Sequence, residues 1–210
     1  MAWLISVPHV PQYQPQFEFL DKPPGYNHWA PTDVKTIPAE HMPDSARIFT
    51  GHKALHDVFH VETELAVSRR FMEIIEAFEP GVHQFFPVRL LRKNGEPFEG
   101  EYFLLNIRVA FNALNTDQSD LHWTEVEREG LTVRLPHITF GRIVLQKGAV
   151  EGHHLWRHKV TWQEEGAELG FGTARVFCSD ALYQEILRKK IKKFNARKAE
   201  ELADEGGVQH

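Results

Sequence analysis

Three histidines, His52, His56 and His60, recur at four-residue intervals, which is a spacing that fits a metal site. On a helix this spacing places all three on one face, and histidine pairs four residues apart can chelate zinc. The intervening glutamate of a zinc protease helix is missing, because Lys53-Ala54-Leu55 fills the first interval. The alternative is that the three rings border the apolar side of a short helix and bind no metal.

The single cysteine, Cys178, precedes Ser179 at a predicted helix N-terminus, where the helix dipole lowers the pKa of a thiol. A nucleophile paired with a histidine is one interpretation. The other is that Cys178 follows Val176-Phe177 at the end of a buried strand and packs as a small hydrophobic residue. One cysteine also excludes an internal disulfide and a multi-cysteine zinc site.

A basic run, Arg188-Lys189-Lys190-Ile191-Lys192-Lys193, is the best candidate for contact with nucleic acid. Its alternative is the cationic end of a helix, where basic side chains favour the negative end of the dipole. Residues 188–210 hold seven basic and four acidic residues, which is a net charge of +3. Since the whole chain has a net charge of −5, residues 1–187 have a net charge of −8. Phosphates require positive charge, so this acidic body disfavours nucleic acid and favours a basic partner.

Paired side chains for catalysis are not evident elsewhere. The sequence contains no phosphate-binding Walker loop, no Gly-x-Ser-x-Gly elbow and no His-Glu-x-x-His helix. We therefore assign no catalytic residue, no cofactor and no metal ligand, and we predict a binding protein rather than an enzyme.

A second candidate surface is acidic. The segment His122–Glu129 alternates, so as a strand it places Trp123, Glu125, Glu127 and Glu129 on one face. Three carboxylates this close cannot lie in a core, because burying unpaired charge is too costly. Asp117 and Asp120 in the preceding loop extend the stripe, and Trp123 is a candidate aromatic anchor. The alternative is a solvated outer face that binds nothing.

The elements that position these residues follow from apolar periodicity. Helical spacing predicts two main helices, at about 68–78 and 179–195, each preceded by a strand and a capping serine, and a short helix over 51–61. Residues 83–178 read mostly as antiparallel strands, with Asn94-Gly95 as a turn. The predicted fold class is α+β, with both main helices packed on the sheet.

The strand–serine–helix unit occurs twice, so that Val67-Ser68 matches Cys178-Ser179. Eight of the 12 prolines fall before Arg47, which predicts a proline- and aromatic-rich N-terminal arm over residues 1–47, packed on the body. Residues 48–195 are then the main domain, and residues 196–210 form a charged, frayed tail. No apolar run reaches the length of a membrane span and no signal-like start is present, so we expect a cytoplasmic protein.

The order of several strings resembles a bacterial immunity-protein family, the eleventh numbered immunity family of polymorphic toxin systems, formerly a domain of unknown function. The resemblance spans roughly residues 40–187. It is carried by the strings at residues 66–71, Glu79–Val88 (EPGVHQFFPV), Asn94-Gly95, Tyr102–Asn106 and Val176–Leu182.

This resemblance implies an inhibitor that binds and neutralises a cognate toxin exported by a type VI or related system, without catalysis. It implies a toxin protein as the partner and carries over no catalytic motif. Two other functions stay open on the residues: a metal-dependent enzyme using the His52/His56/His60 face, and a nucleic-acid-binding regulator using the basic C-terminal helix. The toxin, the interface and the oligomeric state are not set by the sequence.

Overall fold

The computed structural model describes residues 1–7, 14–28, 34–128, 131–138, 141–146, 148–150, 152–164 and 167–202. The chain is mostly β, with 43% strand and 13% helix. The predicted α+β class, with helices on one largely antiparallel sheet and a proline-rich arm, is therefore wrong. The strands form two six-stranded sheets and a separate hairpin, and the sheets curve into half-barrel and near-barrel shapes.

The elements of the described residues are numbered in chain order. The strands are β1 Ala2–Ser6, β2 Phe17–Phe19, β3 Ser45–Ile48, β4 Val58–Val61, β5 Glu64–Ser68, β6 Gln84–Leu91, β7 Tyr102–Asn106, β8 Ala110–Phe111, β9 His122–Arg128, β10 Leu131–His137, β11 Val144–Gln146, β12 Leu155–Glu164, β13 Ala167–Ser179 and β14 Asn195–Leu202. The helices are α1 Arg69–Phe78 and α2 Asp180–Arg188, with a single 3-10 turn at Ala39–His41.

One sheet has the strand order β2-β3-β6-β7-β5-β4, and the other has the order β11-β14-β1-β13-β12-β8. The pairs β3–β6, β11–β14 and β12–β8 are parallel, and the other described pairs are antiparallel. Strands β9 and β10 pair only with each other. The predicted strands between residues 83 and 178 are therefore present, but they are divided among three sheets.

Both helices begin at the predicted serines. The Ser68 hydroxyl accepts a hydrogen bond from the Phe71 amide, and the Ser179 hydroxyl accepts one from the Leu182 amide, each at 3.2 Å. Helix α1 ends at Phe78, as its Pro80-Gly81 stop predicts. The apolar faces of the two helices are buried at Phe71, Ile74, Ile75, Leu182 and Ile186.

The predicted helix over 179–195 ends early, at Arg188, and the segment after it is a strand. Lys190 has a φ of +56°, which ends the right-handed helix, and the backbone then enters β14. Residues of β14 have good helix propensity, but pairing with β1 and β11 overrides it. Ala199, in the middle of that strand, is fully buried.

The predicted proline-rich arm is also wrong, because β1 is an inner strand. Residues 2–6 precede the first proline, and β1 pairs with β13 on one side and β14 on the other. Further along, β2 and β3 pair in the first sheet. The predicted bounds of a main domain over residues 48–195 and of a tail over residues 196–210 stay predictions.

The short helix predicted over residues 51–61 is absent, and β4 occupies its second half. Val58 faces Val67 of β5, and a turn with Glu62 at a φ of +51° joins the two strands. Of the four apolar residues read as one helical face, Ala54 is exposed and Leu55 is partly buried. Val58 and Phe59 are buried because β4 is covered on both sides, so that Val58 packs in one core cluster and Phe59 in another.

The two sheets repeat one arrangement, which extends the strand–serine–helix echo of the sequence. Strand β5 lies between β4 and β7, and β13 lies between β12 and β1. In the same register, Val67 faces Val58 and Phe103, while Cys178 faces Leu155 and Trp3. The order β3-β6-β7-β5-β4 thus corresponds to β11-β14-β1-β13-β12, and the N-terminal strand completes the second repeat.

Equivalent hydrogen bonds support the repeat at both serines. The Ser68 hydroxyl donates to Asp57 Oδ1 at 2.7 Å, and the Ser68 amide donates to the Asp57 carbonyl. The Ser179 hydroxyl contacts His154 Nδ1 at 2.8 Å, and its amide donates to the His154 carbonyl. Asp57 directly precedes β4, which pairs with β5, and His154 directly precedes β12, which pairs with β13. The two strand–helix junctions are therefore fixed by hydrogen bonds at equivalent positions.

The described residues form three core clusters, and the adjacent phenylalanines Phe85 and Phe86 pack in different ones. Phe86 is buried in the cluster outside the first sheet, and the partly buried Phe85 packs on the cluster that includes α1 and α2. This sheet is therefore covered on both faces, as burial of neighbouring strand residues requires. The other predicted core residues are buried: Phe71, Ile75, Val88, Leu104 and Ile107.

Candidate partner-binding surface

The β9–β10 hairpin stands apart from the two sheets. Its register places Glu125 opposite Arg134 and Trp123 opposite Pro136. In the sequence of the second repeat, the hairpin lies between Leu114 and β11. Leu114 forms an isolated antiparallel β-bridge with Leu145 of β11. The first repeat has residues 20–44 at that point, where the described residues form no strand, so the hairpin is a feature of the second repeat that the repeated sheet does not need.

Side chains of β9 are exposed on both faces of the hairpin. Trp123 is 44% exposed, and Glu125 and Glu127 on the same face are exposed as well. Thr124, which points to the opposite face, is also exposed. An aromatic ring and two carboxylates thus share one accessible face, as the alternation predicts.

Arg134 on β10 belongs to the same face and was missed by the sequence analysis. Its guanidinium carbon lies 5.2 Å from the centroid of the Trp123 ring, a cation–π distance. The neighbouring Thr132 hydroxyl donates to Glu127. The face is therefore less acidic than a stripe of carboxylates alone, and its aromatic ring is held by a cation. The alternation of residues 131–137 could have placed Arg134 on one face of a strand. It could not show that this face is the one with Trp123, because that requires the register between β9 and β10.

The remaining acidic residues of the predicted stripe have different surroundings. Asp117 and Asp120 are exposed in the loop before β9. Asp120 Oδ2 accepts a hydrogen bond from the Arg142 amide at 2.7 Å, which ties this loop to the segment before β11. Glu129 lies outside the described residues.

The three histidines of the first candidate site lie on a loop and a strand, so no helix aligns them. His52 Nδ1 lies 2.9 Å from the Thr50 hydroxyl, and His60 is part of β4. Burial, and then the charge of Lys193, lower the pKa of His56. Among the described residues, no group of three or more His, Cys, Asp or Glu side chains is placed to hold a metal ion.

Cys178 is fully buried at the end of β13. Burial, and to a smaller extent the charge of Asp180, raise the pKa of its thiol. A nucleophilic cysteine needs the opposite, an accessible thiol with a lowered pKa. Cys178 therefore packs as a small hydrophobic residue at the end of a buried strand.

The basic run is divided by a turn and does not form one helix face. Arg188 at the end of α2 makes a bidentate ion pair with Glu185 at 2.6 Å, and Ile191 is buried. Lys190 and Lys193 both have positive φ values.

In the described part of the chain, neither helix is long and apolar enough to cross a membrane.

The strongest comparison with known proteins is a family match. A model of the immunity protein family (Imm11) matches residues 41–201, about three quarters of the chain. The chain belongs to the Imm11 immunity protein family. No curated protein matches it significantly.

In this Imm11 chain the family-like string at residues 79–88 holds the body together. Gln84 exchanges hydrogen bonds with the backbone of Ile37: its Oε1 accepts from the Ile37 amide and its Nε2 donates to the Ile37 carbonyl, both at 2.9 Å. Gln84 Oε1 also accepts from Asn106 Nδ2. These contacts are all internal to the body.

Proposed function

We propose that this Imm11 protein neutralises a cognate bacterial toxin by binding it, without catalysis, through the β9–β10 hairpin. The toxin is one that a type VI or related polymorphic toxin system exports, and the immunity protein acts in the cytoplasm of the cell that makes both. Membership of the immunity protein family supports the role in general.

The observation that carries this proposal is the separation of the hairpin from the two-sheet body. Its strands pair only with each other, and the described side chains of β9 are exposed on both faces. An element that the repeated sheets do not require can present side chains to a partner without loss of the core. Trp123 is the exposed aromatic side chain of this element, and buried aromatic anchors are common at protein interfaces.

The chemistry of the hairpin fits a partner with a basic surface that also offers an apolar contact. Glu125 and Glu127 are exposed, and residues 1–187 carry a net −8. Complementary charge accelerates encounter between proteins, whereas an aromatic contact slows dissociation. Inhibition by occlusion needs no reactive group, which agrees with the burial of Cys178.

The test is rescue of cells that express the toxin encoded beside this gene. The full chain is compared with a variant in which residues 122–137 are replaced by a short Gly-Ser linker. We expect the full chain to restore growth and to copurify with the toxin, and the linker variant to fold but do neither. Rescue by the folded linker variant places the interface elsewhere, and failure of the full chain against this toxin overturns the role itself.

A further inference from the structure

A cavity of about 430 Å³ lies between the two repeats, away from the hairpin. It is lined by β4 and β5 from the first sheet and by β1, β12 and β13 from the second, with α1 and α2 at its side. Cavities of roughly 300–1,000 Å³ are typical of small-molecule sites. Its apolar wall includes the side chains of Leu4, Ile5, Val58, Leu65, Phe71, Val176 and Ile186.

Four polar residues of the cavity occupy equivalent positions in the two repeats. His60 faces Leu65 in the first sheet, and Arg157 faces Val176 at the same register in the second. One position along, Glu64 of β5 corresponds to Arg175 of β13. Four ionisable residues of the lining thus lie at equivalent positions, with arginine at both positions of the second half, and His28 and Glu62 line the cavity as well.

Arg157 is 6% exposed and its hydrogen bonding is incomplete. Its Nη1 donates to the Thr173 carbonyl at 3.0 Å, but Nε is buried and has no acceptor among the described residues. A buried donor without an acceptor costs free energy comparable to a lost hydrogen bond, and native proteins leave few such groups. An acceptor atom within the cavity removes that cost.

Two carboxylates line the cavity, and neither fully balances this guanidinium. Glu62 Oε2 is paired with Lys22 Nζ at 2.7 Å. Glu64 is 3% exposed, and its Oε1 accepts a hydrogen bond from the Tyr26 hydroxyl at 3.2 Å. Burial raises the pKa of Glu64 to about 7, and the interaction with Arg157 that opposes this rise is coulombic rather than a hydrogen bond. The cavity at neutral pH therefore combines apolar walls with a positive charge that lacks a full counter-charge.

We propose that this cavity binds a small amphipathic monoanion, an aliphatic carboxylate, with its chain against the apolar wall and its carboxylate at Arg157. A carboxylate supplies the acceptor that Nε lacks, and its negative charge complements the buried guanidinium of Arg157. The site is independent of toxin binding, since the hairpin takes no part in the lining.

Octanoate titrated into the full-length protein, followed by calorimetry, tests the site, with 1-octanol as the neutral probe of equal chain length. We expect saturable one-to-one binding of octanoate and binding of octanol at least tenfold weaker. Arg157→Met keeps the volume of the side chain and removes its charge, so octanoate should bind this variant at least tenfold more weakly. Arg89→Met on the exposed side of β6 is the matched control and should bind octanoate as the wild type does.

Methyl NMR of the wild-type protein covers the case in which Arg157→Met fails to fold. Octanoate should shift the methyl resonances of Val58, Leu65 and Val176 in the cavity. Absence of saturable binding, equal affinity for octanoate and octanol, or shifts confined to residues outside the cavity each overturn the proposal. None of these measurements involves the toxin, so failure here leaves the proposed immunity function untouched.

Discussion

The carboxylate of Glu79 accepts a hydrogen bond from Nε2 of His83, 3.0 Å away, in the turn that follows α1. The same Oε2 accepts from the Leu155 amide at 2.8 Å, and Oε1 accepts from His153 Nδ1 at 2.9 Å. Nδ1 of His83 in turn accepts from the Arg108 amide. One buried carboxylate therefore joins the end of α1 in the first repeat to the start of β12 in the second.

Replacing Glu79 by glutamine should destabilise the protein by about 3 kcal/mol at pH 7. Burial alone raises the pKa of Glu79, but hydrogen bonds from His83, from the peptide amide between His154 and Leu155, and from His153 lower it to about 2. Glutamine turns one acceptor oxygen into a donor that faces these donors. Urea unfolding measures the loss, and Glu73→Gln on the exposed side of α1 should change the free energy of unfolding little.

The effect of Glu79→Gln should also depend on pH with a defined sign. A folded-state pKa below the ordinary 4.5 gives stability that is present above about pH 4.5 and is lost as the pH falls towards 2. The difference between wild type and variant should therefore shrink over that range. A difference that is constant from pH 5 to pH 3 would contradict an ionised, hydrogen-bonded Glu79.

Sequence reasoning found the local junctions and missed the long-range pairings. Capping serines, a Pro-Gly stop and alternation are local signals, so α1, the start of α2 and β9 were predicted. The strand β14 carries charged residues with helix propensity, and only pairing with β1, about 190 residues away, makes it extended. The same limit hid the approach of Glu64 to Arg157, which are far apart in the sequence. Arg134 lies only one hairpin away from Trp123, and it was missed because the register of β9 and β10 was not known.

Glu64→Gln should make the free energy of unfolding depend less on pH between about pH 4.5 and pH 7. The groups that act on Glu64 are Tyr26, Arg157 and Glu62, and burial is the largest cause of its pKa of about 7. A raised pKa means that the folded state holds the proton more tightly than the unfolded state. The wild type should thus lose about 3 kcal/mol as the pH rises from about 4.5 to 7, and little more above that.

Urea unfolding at pH 5, 6, 7 and 8 measures this loss. Glutamine keeps an oxygen for the Tyr26 hydroxyl and cannot ionise, so the stability of the variant relative to wild type should increase with pH. Glu18→Gln on the exposed side of β2 is the control and should leave the slope unchanged. Parallel profiles for wild type and Glu64→Gln would mean that Glu64 has an ordinary pKa.

Ser68→Ala and Ser179→Ala should destabilise the protein by similar amounts, about 1–2 kcal/mol each. Each hydroxyl accepts one amide hydrogen bond at a helix N-terminus and contacts one side chain, Asp57 or His154. Thermal or urea unfolding compares the two variants with Thr116→Ala in an exposed loop. A large cost at one serine and none at the other would show that the two junctions are not energetically equivalent.

Reversing charge on the hairpin should weaken toxin binding without unfolding the body. In Glu125→Lys/Glu127→Lys both altered side chains are exposed, and charge reversal there turns an attraction to a basic partner into a repulsion. The association rate, measured by surface plasmon resonance against the toxin of the neighbouring gene, should fall at low salt and should lose its dependence on salt. Rescue of toxin-expressing cells should fall in parallel.

The matched control for this double variant is Glu96→Lys/Glu99→Lys, which makes the same change of net charge in the exposed turn between β6 and β7. This control separates local complementarity from the net charge of the molecule, because both variants gain the same four charge units. Trp123→Ala tests the aromatic contact separately and should raise the dissociation rate at least tenfold with little change in the association rate. Equal losses of binding in both double variants would assign the effect to net charge, and undiminished binding and rescue by the hairpin variants would place the interface elsewhere on the molecule.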